Sequence, residues 1–337
     1  MRIKFNVSLS GEYFVIRFIL KLIITSAVLM LSFHGSLSAK QLSFSKKTVG
    51  NNVQFDYQWQ DQNQENQSLN FSIDKTILFD RFRNFKAYRA EHAKRSVNQG
   101  INRALSKQNN GVHVSFLGTG NQMHIELKSQ NQKALDQTFK DIEKLEDELM
   151  QEYLDDNFYQ QFISYDNSIA IKPDHARFAE ESVVDFKPLK TLILDKVSIQ
   201  NVREVSNYVL GFVQSIPYST LESRVDSTGA GFNPPLRILW ENQGDCDSKV
   251  TLTAAIFRSL MPRIKMMLVF IDNHALLAIN IPAEGDELTI NVDGANYVLL
   301  EPTGPAMMKV GETSPDSEFS IRNGRYYAEP FFAHAKE

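Results

Sequence analysis

Gly244-Asp245-Cys246-Asp247-Ser248-Lys249 opens an apolar run that continues to Leu260. The stretch 247–260 is apolar on most sides of a helix, so it predicts a buried helix with Cys246 at or near its first turn. Either flanking aspartate can cap this helix, since Asp is a common N-cap residue. Cys246 is the only cysteine in 337 residues. It cannot form an internal disulfide, so it is either an inert buried residue or a thiol kept for its reactivity.

The start of a helix favours a reactive thiol. Free backbone N–H groups and the helix dipole stabilise negative charge there and lower the pKa of a thiol. Asp245 and Asp247 act in the opposite direction, because they repel a thiolate. A nearby imidazolium would more than compensate for that repulsion. The sequence therefore predicts a histidine close to Cys246.

The chain beyond the helix supplies this histidine. The β-rich stretch 264–271 predicts a strand, Asp272-Asn273 a tight turn, and 275–281 a second strand that His274 begins. A histidine at a strand start, beside a sheet on which the cysteine helix packs, can meet the sulfur. We therefore expect His274 to act as a base toward Cys246.

An acidic residue follows at the end of another predicted strand. This strand, 297–300, ends at Glu301-Pro302-Thr303. Glu301 can hold the second imidazole nitrogen and fix the orientation of the ring. Thiol, base and orienting acid together follow the general logic of an activated nucleophile.

These residues resemble the transglutaminase-like cysteine peptidase superfamily, in particular its exported bacterial members. Four matches carry the resemblance, and they occur in the family's order over about residues 200–310. They are Phe212-Val213-Gln214-Ser215-Ile216-Pro217-Tyr218, Gly-Asp-Cys-Asp before an apolar helix, His274-Ala275-Leu276 at a strand start, and Glu-Pro-Thr at a strand end.

The resemblance implies an α+β fold with a papain-like or transglutaminase-like core, in which the cysteine helix packs on an antiparallel sheet. It implies a catalytic triad of Cys246 as nucleophile, His274 as base and Glu301 as third member, without metal or cofactor. The family's third residue is most often Asp, so Asp293 is a rival to Glu301.

Two further residues are candidates for the site. Gln214 and Trp240 could each supply a side-chain donor to the oxyanion or form the wall of a substrate groove. The resemblance implies attack on an amide or peptide carbonyl by a cysteine peptidase or amidase, and it favours hydrolysis over crosslinking. The alternatives are acyl transfer to an amine and a non-catalytic envelope protein that uses the same fold for binding.

The beginning of the chain predicts export. Residues 1–39 contain a basic segment, a short apolar stretch and a small-residue cleavage site, as a secretory signal does. We expect a periplasmic or secreted protein, with an uncleaved N-terminal anchor as the alternative. Without the signal's four basic residues and one acidic residue, the formal net charge changes from −4 to −7. This charge argues against nucleic acid and is compatible with a protein or peptide substrate and with association with the envelope or cell wall.

The predicted domain boundary lies near residue 170. Residues 40–170 predict an α+β domain of two β-β-α units, whose role the sequence leaves open, and 171–337 the catalytic domain. The first unit has strands 53–60 and 68–74 and a helix from about 75 to 107. The second has a hairpin, 112–128, and a helix from about 131 to 153.

Overall fold

The structure, a computed structural model, describes residues 2–5, 40–106, 111–118, 124–223 and 229–331. It mixes helices and sheets, which confirms the predicted α+β class. The predicted signal segment lies outside the described residues except for Arg2–Phe5. Among the helices described, none has the length and apolar character needed to cross a membrane.

The elements are numbered in chain order. The strands are β1 (Arg2–Phe5), β2 (Lys40–Val49), β3 (Asn52–Gln60), β4 (Asn66–Asp74), β5 (His113–Leu117), β6 (His124–Lys128), β7 (Tyr159–Ile163), β8 (Ile169–Pro173), β9 (Met266–Ile271), β10 (His274–Ile279), β11 (Thr289–Val292), β12 (Ala295–Leu300) and β13 (Tyr327–Phe331). The helices are α1 (Lys75–Asp80), α2 (Ala90–Leu105), α3 (Gln132–Asp156), α4 (His175–Ser182), α5 (Lys187–Leu194), α6 (Val202–Ser215), α7 (Pro235–Glu241), α8 (Cys246–Leu260) and α9 (Pro315–Arg322), with a 3-10 turn at Val183–Phe186.

The chain divides into two compact units, and the division differs from the predicted one. Of the described residues, the smaller unit takes 2–5, 89–161 and 169–171, and the larger unit takes the rest. The β2-β3-β4 sheet therefore belongs with the C-terminal half instead of forming an N-terminal domain. The reason is its aromatic face. Tyr57 packs edge-on against Phe212 of α6 and donates to the Leu239 carbonyl of α7.

The smaller unit contains the predicted hairpin of β5 and β6 and the helices α2 and α3. Asn131 caps α3 by accepting a hydrogen bond from the backbone of Ala134. Helices α2 and α3 pack closely, since the position of a Cβ on Gly100 would meet the Leu149 side chain at 2.7 Å.

The predicted long helix from 75 to 107 is two helices in the structure. Helix α1 ends where Arg81 takes an extended conformation, and Phe82 then has a positive φ of 57°. A bulky residue with positive φ cannot continue a right-handed helix. Helix α1 belongs to the larger unit and α2 to the smaller one.

The larger unit is built on an antiparallel sheet with the strand order β11-β12-β10-β9-β13. Successive side chains of a strand point to opposite faces. On β10, Ala275, Leu277 and Ile279 join the core cluster that contains α8, while Leu276 and Ala278 join a separate cluster. Each face of the sheet is therefore covered by apolar residues.

Helix α8 lies against one face of this sheet. It packs on β10 and β9 and is enclosed by α4, α6 and α7. All its residues from Ser248 to Leu260 are buried. This confirms the predicted buried helix and the packing of the cysteine helix on an antiparallel sheet.

Candidate active site

Cys246 is the first residue of α8. Asp245 caps the helix, because its side chain accepts a hydrogen bond from the Ser248 backbone at 3.2 Å. Cys246 itself is only partly buried, while the helix behind it is wholly buried. The cap and the apolar run thus place the partly buried thiol at the first residue of a buried helix.

His274 begins β10, as predicted. A two-residue turn joins β9 to β10, and its second residue, Asn273, has a positive φ of 56°. His274 pairs with Ile271 of β9. The backbone N–H of Ala275, the residue after His274, lies near the Cys246 sulfur and acts to lower the pKa of the thiol. The start of β10 and the start of α8 therefore meet at the thiol.

Glu301 follows the last residue of β12 and reaches His274. His274 Nε2 lies 3.1 Å from Glu301 Oε1, and the Ser314 backbone donates to Glu301 Oε2 at 2.8 Å. Burial acts to raise the pKa of Glu301, but these hydrogen bonds outweigh it and leave the pKa below its usual value. Glu301 is thus a carboxylate at neutral pH. Because Glu301 is hydrogen-bonded to Nε2 of His274, Nδ1 is the nitrogen that can accept a proton.

Asp293 lies at the other end of β12. Val292 pairs with Ala295, so Asp293 and Gly294 form the turn between β11 and β12. Strand β12 is antiparallel to β10, and its last residue, Leu300, pairs with Leu277. A six-residue strand is about 20 Å long. The strand register therefore places Glu301 beside His274 and keeps Asp293 away from it.

Gln214 does not point its donors toward an acyl group. Its amide nitrogen donates to the Glu301 and Met308 carbonyls, both at 3.0 Å, and its amide oxygen accepts from the Met308 backbone at 3.4 Å. Both donor hydrogens are used, and the side chain is buried. Gln214 instead fixes the backbone of Glu301, so the expectation that it is an oxyanion donor is replaced by this supporting role.

The contacts of Trp240 lie on α1 and β2. Its ring packs edge-on against Phe79 at 4.9 Å, and Lys46 Nζ lies 3.8 Å from the ring centre. Lys46 also donates to the Trp240 carbonyl at 2.5 Å. Trp240 therefore joins α7 to the β2-β3-β4 sheet, and these contacts give no support to a role as donor or groove wall.

The thiol is held in its neutral form. Burial, followed by the charges of Asp247 and Asp245, raises the pKa of Cys246 to about 12. The helix start and the N–H of Ala275 act in the opposite direction but do not outweigh them. The expected depression of the thiol pKa is absent from this arrangement. An attack by this sulfur would therefore require its proton to leave during the attack.

The two aspartates beside the thiol differ in charge. Burial and the charge of Asp247 raise the pKa of Asp245 to about 9, so Asp245 is protonated at pH 7 and donates to Asp247. Burial would also raise the pKa of Asp247, but its hydrogen bonds, first that from His175, bring the pKa below its usual value. One negative charge therefore lies next to Cys246 at neutral pH.

His175 is a neighbour that the sequence did not reveal. Its Nε2 lies 2.9 Å from Asp247 Oδ2, and its Nδ1 lies 3.4 Å from Lys172 Nζ, which also binds Glu329 at 2.6 Å. Burial and the charge of Lys172 lower the pKa of His175. Because Lys172 can only donate, the neutral ring accepts at Nδ1 and donates from Nε2 to Asp247. His175 is the first residue of α4, and the Asp174 side chain caps this helix by accepting a hydrogen bond from the Arg177 backbone.

Lys249 is a second residue that the sequence did not single out. It is fully buried on α8, and its Nζ donates to the carbonyls of Ile216 and Thr303, both at 2.5 Å. Burial lowers its pKa to about 7. Lys249 therefore ties the end of α6 and the segment after Glu301 to the cysteine helix.

The charge difference between the two aspartates leads to a testable prediction. Asp247→Asn removes the negative charge beside the thiol, and Asp245 remains buried, which is the first cause of its raised pKa. The thiol pKa should fall, and each unit of the fall raises the thiolate fraction about tenfold. We expect faster alkylation of Cys246 by iodoacetamide at pH 7, measured by intact mass.

Asp245→Asn is the matched control. Asn is also a good N-cap, and the carboxyl that it replaces is already neutral at pH 7. Its alkylation rate at pH 7 should equal that of the wild type. A rate increase in Asp245→Asn as large as that in Asp247→Asn would show that Asp245 is not the protonated carboxyl.

The site thus contains a protonated thiol, a histidine held by a buried carboxylate, and a helix start behind the sulfur. The histidine of this site can accept the thiol proton, and the site can bind an acyl group.

Among the described residues, no cluster of His, Cys, Asp and Glu has the arrangement needed to hold a metal ion. Comparisons of the chain with family models, curated proteins and solved structures gave no significant match. The transglutaminase-like resemblance therefore depends on the residues quoted above.

Proposed function

We propose that this protein is a thiol hydrolase of the transglutaminase-like type, a cysteine peptidase or amidase with a papain-like core. The observation that carries the proposal is the hydrogen bond between Glu301 and His274, which begins the strand that packs on the helix of Cys246. A buried carboxylate that orients a histidine beside a thiol is the arrangement of an activated nucleophile.

The proposed reaction begins with the neutral thiol. His274 Nδ1 accepts the thiol proton as the sulfur attacks the carbonyl carbon of an amide or peptide. The backbone N–H of Cys246, which as the first residue of α8 has no acceptor in a preceding turn, stabilises the oxyanion. His274 then gives its proton to the leaving amine, the C–N bond breaks, and a thioester remains on Cys246. Water attacks the thioester, which releases a carboxylic acid and restores the thiol.

The predicted export signal would place this chemistry in the periplasm or outside the cell, with a protein or peptide as substrate. Acyl transfer to an amine differs only in the last step, where an amine replaces water. The alternative is a non-catalytic envelope binding protein. It gains support from the pKa of about 12 for the thiol, because such a thiol is unreactive unless a base removes its proton.

Acylation of the single cysteine tests the proposal. The wild-type protein should react with p-nitrophenyl acetate to give one acetyl group on Cys246, located by peptide mapping, and then release acetate with turnover. Cys246→Ala should show neither. Equal reaction of both proteins, or labelling of Cys246 only after unfolding, would favour the binding protein. Transfer of the acetyl group to an added amine instead of water would favour the transferase.

A further inference from the structure

Tyr218 lies beside the segment that carries the thiol. It follows the buried end of α6 and forms a parallel β-bridge with Gly244, two residues before Cys246. The bridge has two hydrogen bonds, from Gly244 N to the Pro217 carbonyl at 3.2 Å and from Ser219 N to the Gly244 carbonyl at 3.1 Å. The backbone of Tyr218 is therefore fixed next to the start of α8.

The Tyr218 side chain is the exposed part of this bridge. It retains 50% of its accessible surface, and the neighbouring Pro217 and Thr220 are also exposed, while Ile216 and Leu221 on either side are buried. The charges of Cys246, Asp245 and Asp247 act on its hydroxyl, which agrees with the place of Tyr218 beside Gly244, two residues before the thiol. An exposed phenol near the thiol can contact the same substrate as Cys246.

The Tyr218 hydroxyl is protonated and can donate a hydrogen bond. Burial, followed by the charges of Cys246 and the two aspartates, raises the pKa of Tyr218. The phenol therefore keeps its proton across the neutral range and into the alkaline range. A neutral hydroxyl donates to a developing negative charge without adding one of its own.

No other side chain has yet been assigned as the hydrogen-bond donor to the oxyanion. A side-chain donor to the oxyanion was expected at Gln214 or Trp240. Both amide hydrogens of Gln214 bind backbone carbonyls, and Trp240 packs on Phe79 and Lys46. These contacts give neither residue support as a donor to an acyl group at Cys246.

We infer that Tyr218 is the side-chain donor that stabilises the oxyanion formed when Cys246 attacks a carbonyl. This inference rests on the proposed function. As the S–C bond forms, the carbonyl π electrons move to oxygen, and the Tyr218 hydroxyl and a first-turn N–H of α8 donate to it. No proton is transferred from Tyr218. When the intermediate collapses, the C=O bond reforms and the leaving group departs with the proton from His274.

Two reagents separate this role from a structural one. p-Nitrophenyl acetate reacts through an oxyanion, whereas iodoacetamide alkylates sulfur by direct displacement and forms none. Tyr218→Phe removes only the hydroxyl. It should slow acylation of Cys246 by about 10²-fold, the usual cost of losing one oxyanion donor. Its alkylation rate should stay at the wild-type value.

A matched control and three outcomes complete the test. Tyr326→Phe removes the hydroxyl of a partly buried tyrosine that packs against the apolar cluster of Leu276 and Ala278, and should change neither rate. Unchanged acylation in Tyr218→Phe would overturn the inference while the proposed function stands. An equal fall in both rates would also overturn it, since Tyr218 would then only position the thiol. Wild-type protein that is alkylated but never acylated would overturn the proposed function itself, and the inference with it.

Discussion

Replacement of His274 by alanine is expected to slow acylation of Cys246 by p-nitrophenyl acetate about 10³-fold at pH 7. The Cys246 thiol has a pKa of about 12, so almost all of it is protonated at this pH. Its proton must leave as the sulfur attacks. Because Glu301 holds Nε2 of His274, Nδ1 is the nitrogen that accepts this proton. Intact-mass kinetics measure the rate directly, since the chain has a single cysteine.

The variant should also respond differently to pH and to added base. Without His274, deprotonation depends on the thiol alone, so the rate should keep rising with pH toward about 12. Free imidazole should restore part of the lost rate. His92→Ala, which changes an exposed histidine of α2 in the smaller unit, is the control and should react like the wild type. Equal rates for the wild type and His274→Ala would contradict the role of His274 as base.

Glu301→Gln is expected to lower the acylation rate by roughly 10²- to 10⁴-fold, as neutralising an orienting acid does in other nucleophile–histidine–acid sites. The carboxylate accepts from His274 Nε2 and stabilises the imidazolium that forms during attack. A glutamine has no charge, and its N–H₂ group can donate to Nε2 and stabilise the wrong tautomer. It still offers an oxygen to the Ser314 backbone, so the fold should survive. Thermal unfolding followed by circular dichroism checks this.

Asp293→Asn is the matched control for Glu301→Gln. Both changes replace one carboxylate by its amide, but Asp293 lies in the β11–β12 turn at the far end of β12. We expect wild-type acylation in Asp293→Asn. Loss of acylation in this variant, with normal acylation in Glu301→Gln, would assign the third member of the triad to Asp293.

Much of the site's local structure was predictable from short stretches of sequence. The Asp245 cap and the apolar run predicted α8, and the turn Asp272-Asn273 predicted the hairpin that begins β10 at His274. Capping, turn formation and side-chain periodicity depend on residues within a few positions of each other. Such signals remain visible in one sequence without any knowledge of the fold.

Contacts between residues that are distant along the chain were harder to predict from the sequence. The compact units differ from the predicted domains, because β2, β3 and β4 are joined to the C-terminal half by packing between aromatic rings separated by about 150 residues. His175 binds Asp247 across 72 positions, and Gln214 binds the Glu301 carbonyl across 87. No periodicity or spacing encodes these pairs.

The sequence by itself therefore determined which residues could do the chemistry and on which elements they lie. The order Cys246, His274 and Glu301, each at the start or end of an element, was visible in the chain. Only the tertiary structure showed that Glu301, and not Asp293, lies beside His274, since strand register is a long-range property set by pairing with β10. It also decided the charge state around the thiol, because burial and the neighbours that it brings together set each pKa.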